Sequence, residues 1–168
     1  MSRVVVLLPV DLYHDIQLLK SAKVFLVEEE HYFNRSAKCH GSMKLNILKP
    51  IYHRATMRAY YDFLQLHIDC EYIDVKSNWT KIVKEYVNKT HSQLIFYDPV
   101  DRYIEAQLKS SFHSYAIIDT PRFILSRDVL AKYSGALRQT SFYGWARKTT
   151  DILMVGAAPF GGKLTYDS

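Results

Sequence analysis

The stretch VVVLLPVDLYHD, Val4 to Asp15, decides how this chain is read. It opens with five apolar residues in a row, and a second near-continuous run, KVFLV, follows at residues 23–27 with four apolar residues after Lys23. Apolar runs without polar alternation suit strands buried on both faces, as in a parallel sheet covered by helices, and argue against a one-sided antiparallel sheet. Working outward, short β-branched or aromatic runs recur at residues 71–74, 94–97 and 115–118, with longer helical patterns between them. This alternation predicts an α/β, Rossmann-like fold: a mostly parallel five-stranded sheet, with residues 4–8 and 24–27 as the first two strands, and flanking helices.

The clearest helical pattern covers residues 49–66, where Leu48, Tyr52, Ala55, Ala59, Phe63 and Leu66 fall on one stripe and Arg54, Arg58 and Asp62 on another. Shorter helices are expected at 79–87 after an Asn78 cap, and at 100–110 after Asp98 with Pro99 near the first turn. Beyond Thr120-Pro121 the alternation ends, and residues 126–133, starting at Ser126, and 137–153 read as helices. Residues 1–120 thus form an α/β domain and 121–168 a helical extension.

With 168 residues, 48% hydrophobic and 23% charged, the composition is that of a soluble globular protein. No apolar run approaches the roughly 20 residues that cross a bilayer, so no membrane partner is expected. The run at 4–10 has only Arg3 as a positive leader and runs into Asp11, which marks a strand and not a signal peptide. Two cysteines, Cys39 and Cys70, give neither a disulfide framework nor four thiolates for a metal, and an intracellular, reducing location fits them. Asn34, Asn78 and Asn88 each open an Asn-x-Ser/Thr triplet, a pattern too short to carry weight without a secretory route. The net charge of +5 allows a polyanionic partner without requiring one.

Each predicted strand runs into a carboxylate: Asp11, Glu28 with Glu29 and Glu30, Asp74, Asp98 and Asp119. In open parallel sheets ligands bind beyond the carboxyl ends, so these residues mark the expected ligand edge. An acidic edge opposes phosphate, and neither GxGxxG nor GxxxxGK[ST] follows the first strand. Such carboxylates suit hydroxyls or ring N–H groups of an uncharged or cationic ligand, although any one of them is more simply a cap or turn former. Glu28, directly after VFLV, is the least easily explained as a cap. The one basic concentration is Lys44, Lys49, His53, Arg54 and Arg58, interleaved with Tyr52, Tyr60 and Tyr61. It reads as a solvated helix face with Arg58 and Asp62 as an i,i+4 pair, in preference to a nucleic-acid stripe. Seven histidines, Cys39-His40 included, show no metal-ligand spacing, and no GxSxG elbow or Cys-base motif is present. No catalytic residue and no metal site are assigned.

The segment FYGWARKTTDILMVGAAPFGGKLTYDS, from Phe142 onward, resembles the photolyase-related branch of the cryptochrome/photolyase superfamily, which includes iron–sulfur bacterial cryptochromes and (6-4) photolyases. There FYRxxRKxxxxLM leads to PxGGxWxxDxENR; Phe142, Tyr143, Arg147, Lys148, Leu153, Met154, Pro159, Gly161, Gly162 and Asp167 fit. KLNILKPIYHRATMRAYYDFL and VFLVEEEHYF are similar to the family's second helix and second strand end. Leu164 stands where Trp is usual, and Leu8-Pro9-Val10-Asp11-Leu12 replaces a GDQL-like turn. The resemblance implies the N-terminal α/β domain of a truncated or split protein, linked by descent to light-dependent DNA repair and not catalytic alone. It places FAD and a [4Fe–4S] cluster in a helical domain beyond Ser168, and implies a separately encoded FAD-binding domain as partner, with DNA reached only indirectly. No cofactor is expected in this chain alone; the alternative the resemblance offers is a binding module, for a lumazine-type antenna chromophore with Asp11 and Glu28 at its edge or for the FAD-binding domain. A small-molecule enzyme on the same scaffold is the alternative from another class.

Overall fold

The computed structural model describes residues 2–34, 45–136 and 138–164; Cys39, His40, Lys44, Leu137 and Asp167 lie outside these. The chain divides into two compact units, Met1–Thr120 and Pro121–Ser168. In the first, strands β1 (Arg3–Leu7), β2 (Ala22–Val27), β3 (Cys70–Ile73), β4 (Gln93–Tyr97) and β5 (Ala116–Ile118) form a five-stranded sheet of order β3-β2-β1-β4-β5. Every pairing is parallel, with Val5 of β1 opposite Val24 on one side and Ile95 on the other. The fold is therefore α/β and Rossmann-like, as the apolar runs require. The chain winds outward from β1 to β3 and then returns across β1 to β4, so the strand order reverses between β1 and β4.

The period of two in a strand divides the core into two layers. Val4, Val6, Leu8, Phe25, Val27, Leu94 and Phe96 meet Trp79 and Val83 of helix α3 (Trp79–Thr90) and Ile104 and Leu108 of α4 (Arg102–Ser111). On the opposite face Val5, Leu7, Val24, Leu26, Ile95 and Tyr97 meet Leu19 of a 3-10 turn (Gln17–Leu19) together with Met57 and Leu64 of α2 (Leu48–Gln65). Because both faces are covered, β1 has no polar face, which is the physical reason for VVVLL. A four-residue helix, α1 (Glu30–Phe33), follows β2 and has no counterpart in the sequence reading.

Capping sets the helix starts. The Asn78 side chain accepts from the Lys81 N–H at 3.1 Å, as expected for α3. At α4 the cap is Asp101, which accepts from Tyr103 N–H at 2.8 Å, and not Asp98. Val100 takes φ 56°, outside the helical region, so the helix expected at residue 100 begins two residues later.

The phase of α2 also differs from expectation. Leu48, Tyr52 and Leu66 of the apolar stripe are 68%, 67% and 78% exposed, whereas Met57 and Leu64 are fully buried. The core-facing line runs through Met57, Tyr60, Tyr61, Phe63 and Leu64, so that of the expected stripe Phe63 packs on the core. Counting aliphatic residues misses part of this line because two of its members are tyrosines whose hydroxyls find partners: that of Tyr60 donates to the Tyr13 carbonyl at 2.7 Å and that of Tyr61 accepts from Gln65 Nε2 at 2.9 Å.

The second unit holds α5 (Arg127–Leu130), capped by Ser126 on the Val129 N–H, and α6 (Gln139–Thr150). The helix expected to reach Leu153 stops at Asp151, whose φ of 57° is left-handed. An antiparallel hairpin follows, β6 (Met154–Val155) with β7 (Ala158–Pro159), turning at Gly156 with the positive φ such turns need. The buried Arg147 guanidinium donates to the carbonyls of Ile152, Leu153, Lys163 and Leu164, tying the last turn of α6 to the hairpin and the loop beyond. Among the described residues no helix is long and apolar enough to cross a membrane.

The phase of α2 is checked by urea unfolding. Met57→Ala is expected to cost about 2–4 kcal/mol through the cavity it leaves, and Leu48→Ala less than about 0.5 kcal/mol. Equal losses would place the wrong stripe against the sheet.

Candidate functional site

The site is built where β1 ends. The Asp11 N–H donates to the Leu8 carbonyl at 2.9 Å, and the Leu8 N–H donates to Asp11 Oδ2 at 3.0 Å, so the turn closes on its own carboxylate. The Tyr13 hydroxyl lies 3.3 Å from Asp11 Oδ1 and 2.6 Å from the Thr120 hydroxyl, which links the β1 turn to the end of β5. A backbone N–H that a glycine-rich turn would offer to a phosphate is here taken by a buried negative charge. A dinucleotide phosphate does not fit this turn.

Glu28, at the end of β2, is 1% exposed. Its Oε1 accepts from Arg54 Nε at 2.7 Å and from the Tyr72 hydroxyl, and its Oε2 from Arg54 Nη2 at 2.6 Å and the Val75 N–H at 3.1 Å. Burial alone would raise its pKa, but the Arg54 fork, the Tyr72 hydroxyl and the Val75 N–H together hold the carboxyl below its ordinary value. Glu29 accepts from Trp79 Nε1, from Gln107 Nε2 at 3.1 Å and from the His31 N–H at 3.2 Å. Asp74 and Asp98 accept from the Lys76 and Val100 N–H groups and serve as turn formers. The basic concentration is dispersed as well: Arg54 is bound to Glu28, and Arg58 lies 3.6 Å over the Tyr72 ring in place of pairing with Asp62.

Beside the β1 turn a cleft of about 750 Å³ opens between Pro9, Val10, Leu12 and His14 on one side and Tyr52, His53, Thr56, Ala59, Tyr60 and Phe63 of α2 on the other. Among the described residues no Asp, Glu, Lys or Arg lines it. Neither Asp11 nor Glu28 reaches its wall; Asp11 lies within the turn that forms one side and directs its carboxylate inward. Tyr52, Ala59 and Phe63 of the expected apolar stripe form part of this wall, Phe63 while also packing on the core. His53 packs against the rings of Tyr32, Phe33 and Tyr52, with centroids 5.9, 6.2 and 6.4 Å away. Its Nε2 is shielded from water and has no hydrogen-bond partner among the described residues.

A cluster needing four thiolates does not fit a chain with two cysteines, and burial pushes the Cys70 thiol up to about 12. Among the described residues no three His, Cys, Asp or Glu side chains gather as metal ligands.

The Glu28 network yields a stability prediction. Glu28→Gln is expected to cost about 2–3 kcal/mol at neutral pH, since Arg54 and the Val75 N–H lose a charged acceptor. A carboxyl whose folded pKa is depressed contributes stability above its unfolded value, about 4.3, and loses it as pH falls toward the folded value. The gap between wild type and Glu28→Gln should accordingly narrow below about pH 4 in chemical unfolding. A gap that stays constant down to about pH 2 would contradict the assignment.

Comparison with known proteins bears on the whole chain. It is 37% identical over 158 residues to an uncharacterized protein of Acanthamoeba polyphaga mimivirus, a match covering 84% of this chain and 78% of that one. Residues 5–168 match the family described as deoxyribodipyrimidine photo-lyase-related protein, so the first strand, the site and the tail lie within one family sequence. An all-parallel sheet reversing at β1, an acidic turn closed to phosphate and this match over nearly the full length agree: the chain belongs to the deoxyribodipyrimidine photo-lyase-related protein family.

Proposed function

We propose that this chain serves as the chromophore-holding α/β domain of a light-dependent DNA-repair or cryptochrome system. In this reading a lumazine-type antenna occupies the cleft over β1, an FAD-binding domain is the partner, and DNA is reached only through that partner. The observation that carries the reading is the uncharged aromatic cleft at the carboxyl edge of the sheet, beside the strand reversal where α/β folds place ligands. Family membership supports the link to light-dependent repair.

The cleft matches the chemistry of such a group. A lumazine supplies light absorption and a planar, uncharged ring with polar edges. Tyr52, Tyr60 and Phe63 offer ring faces and edges against which such a plane packs, and Pro9, Val10 and Leu12 exclude water from the opposite side. The closed Asp11 turn repels anionic groups, which favours an uncharged ring over a dinucleotide. Glu28 is a poor general base with both oxygens bonded and its pKa lowered, which weighs against small-molecule catalysis at this edge.

Fluorescence titration of the purified chain with 6,7-dimethyl-8-ribityllumazine is the test. Binding of about one molecule per chain is expected, with at least about tenfold loss, roughly 1.4 kcal/mol, in Phe63→Ala. The chain alone should show no flavin absorbance and no light-dependent repair of pyrimidine dimers. Stoichiometric FAD, or no lumazine binding, would overturn the reading.

A further inference from the structure

We infer that His53 determines specificity in this cleft, hydrogen-bonding through Nε2 to a carbonyl or ring N–H on the edge of an uncharged planar heteroaromatic ligand. The inference rests on the chromophore reading above and adds the group that would recognise it.

Polar groups on the α2 wall are mostly committed to the protein itself. The Thr56 hydroxyl donates to the Tyr52 and His53 carbonyls at 3.1 and 3.0 Å, and the Tyr60 hydroxyl donates to the Tyr13 carbonyl. His53 Nε2 is the exception, a buried nitrogen with no partner among the described residues. Leaving such an atom unpaired is unfavourable, and native structures seldom do so without a use for it. Three rings surround it. Tyr32 and Phe33 belong to α1, while Tyr52 stands in the cleft wall itself and is 67% exposed. His53 itself lines the cleft beside Tyr52, which places the imidazole next to whatever occupies it.

The surroundings set the charge of the imidazole. Burial, helped by the Lys49 ammonium one turn earlier on α2, keeps His53 neutral to below the ordinary value of 6.5. The other facing groups do not reverse this: the Arg54 guanidinium over Phe33 is neutralised by Glu28, Tyr32 and Tyr52 are uncharged, and His14 stands in the cleft lining beside the β1 turn. A neutral ring presents one donor and one acceptor, which matches an amide-like edge whichever tautomer is present. Protonation would place a cation among aromatic walls in competition with the ligand. Affinity should therefore fall as pH drops through the His53 pKa.

The test is titration of wild type, His53→Gln and His53→Phe with 6,7-dimethyl-8-ribityllumazine at about pH 7.5 and about pH 5. His53→Gln, which keeps a hydrogen-bonding side chain, should bind within about threefold of wild type, and His53→Phe about tenfold or more weaker. Wild-type affinity should drop at the lower pH, whereas that of His53→Phe should not change. Thermal melting of His53→Phe should not decrease, since an unpaired buried nitrogen is removed. Equal affinity of wild type and His53→Phe would overturn this inference and leave the chromophore reading standing. No binding by wild type would overturn both. Should His53→Phe fail to fold, pH-independent binding by wild type would still refute the role of His53.

Discussion

The first unit depends on a carboxylate withdrawn from water. Glu28 ends a strand whose preceding four residues are buried, so its charge must be met within the protein or it would be lost to protonation. Four contacts meet it, from three places: the fork of Arg54 on α2, the hydroxyl of Tyr72 on β3, and the N–H of Val75 in the loop that leads to α3. One side chain thereby sets how α2 lies on the sheet and where the chain turns after β3. Glu29 acts in the same way on the other face, holding Trp79 at the start of α3 and Gln107 on α4. Successive residues point to opposite faces at a strand end, and two adjacent glutamates tie down the two helical layers.

This internal use of acid determines what the ligand edge can be. An edge that reads as acidic in the sequence is close to neutral at its cleft, because Asp11 and Glu28 are committed before any ligand arrives. The same commitment removes Arg54 from the basic stripe, and Arg58 is drawn onto the Tyr72 ring that Glu28 positions. What remains beside β1 is aromatic, with imidazole as its most distinctive polar group. Such a surface discriminates by shape and by one or two hydrogen bonds, not by charge.

Strands were legible because burial on both faces leaves few choices at each position: the four buried positions of β1 and of β4 are apolar or aromatic, and their runs mark the strands to within one residue. Helix α2 was legible in extent and not in phase. Its core-facing line contains Tyr60 and Tyr61, residues whose rings pack on the core while their hydroxyls find partners of their own. The hairpin after α6 was hidden for a similar reason. Arg147 is legible only as a residue of the family pattern inside a helix expected to reach Leu153, and its four carbonyl contacts exist only once the loop has turned back. His53 was visible only as a member of a charge cluster, although Tyr52, Thr56, Ala59, Tyr60 and Phe63 at helical spacing were the signal that one face of α2 carries a wall.

The amino-acid sequence alone determined the class of fold, the five strands and the family, since each follows from local runs or from residues in fixed order along the chain. Only the tertiary structure decided which donors each acid meets. A carboxylate has the same letter whether or not distant donors reach it: Arg54 lies 26 residues from Glu28, and Tyr72 lies 44. Sequence carries spacing along the chain, whereas charge compensation and shielding from water are properties of neighbours in space.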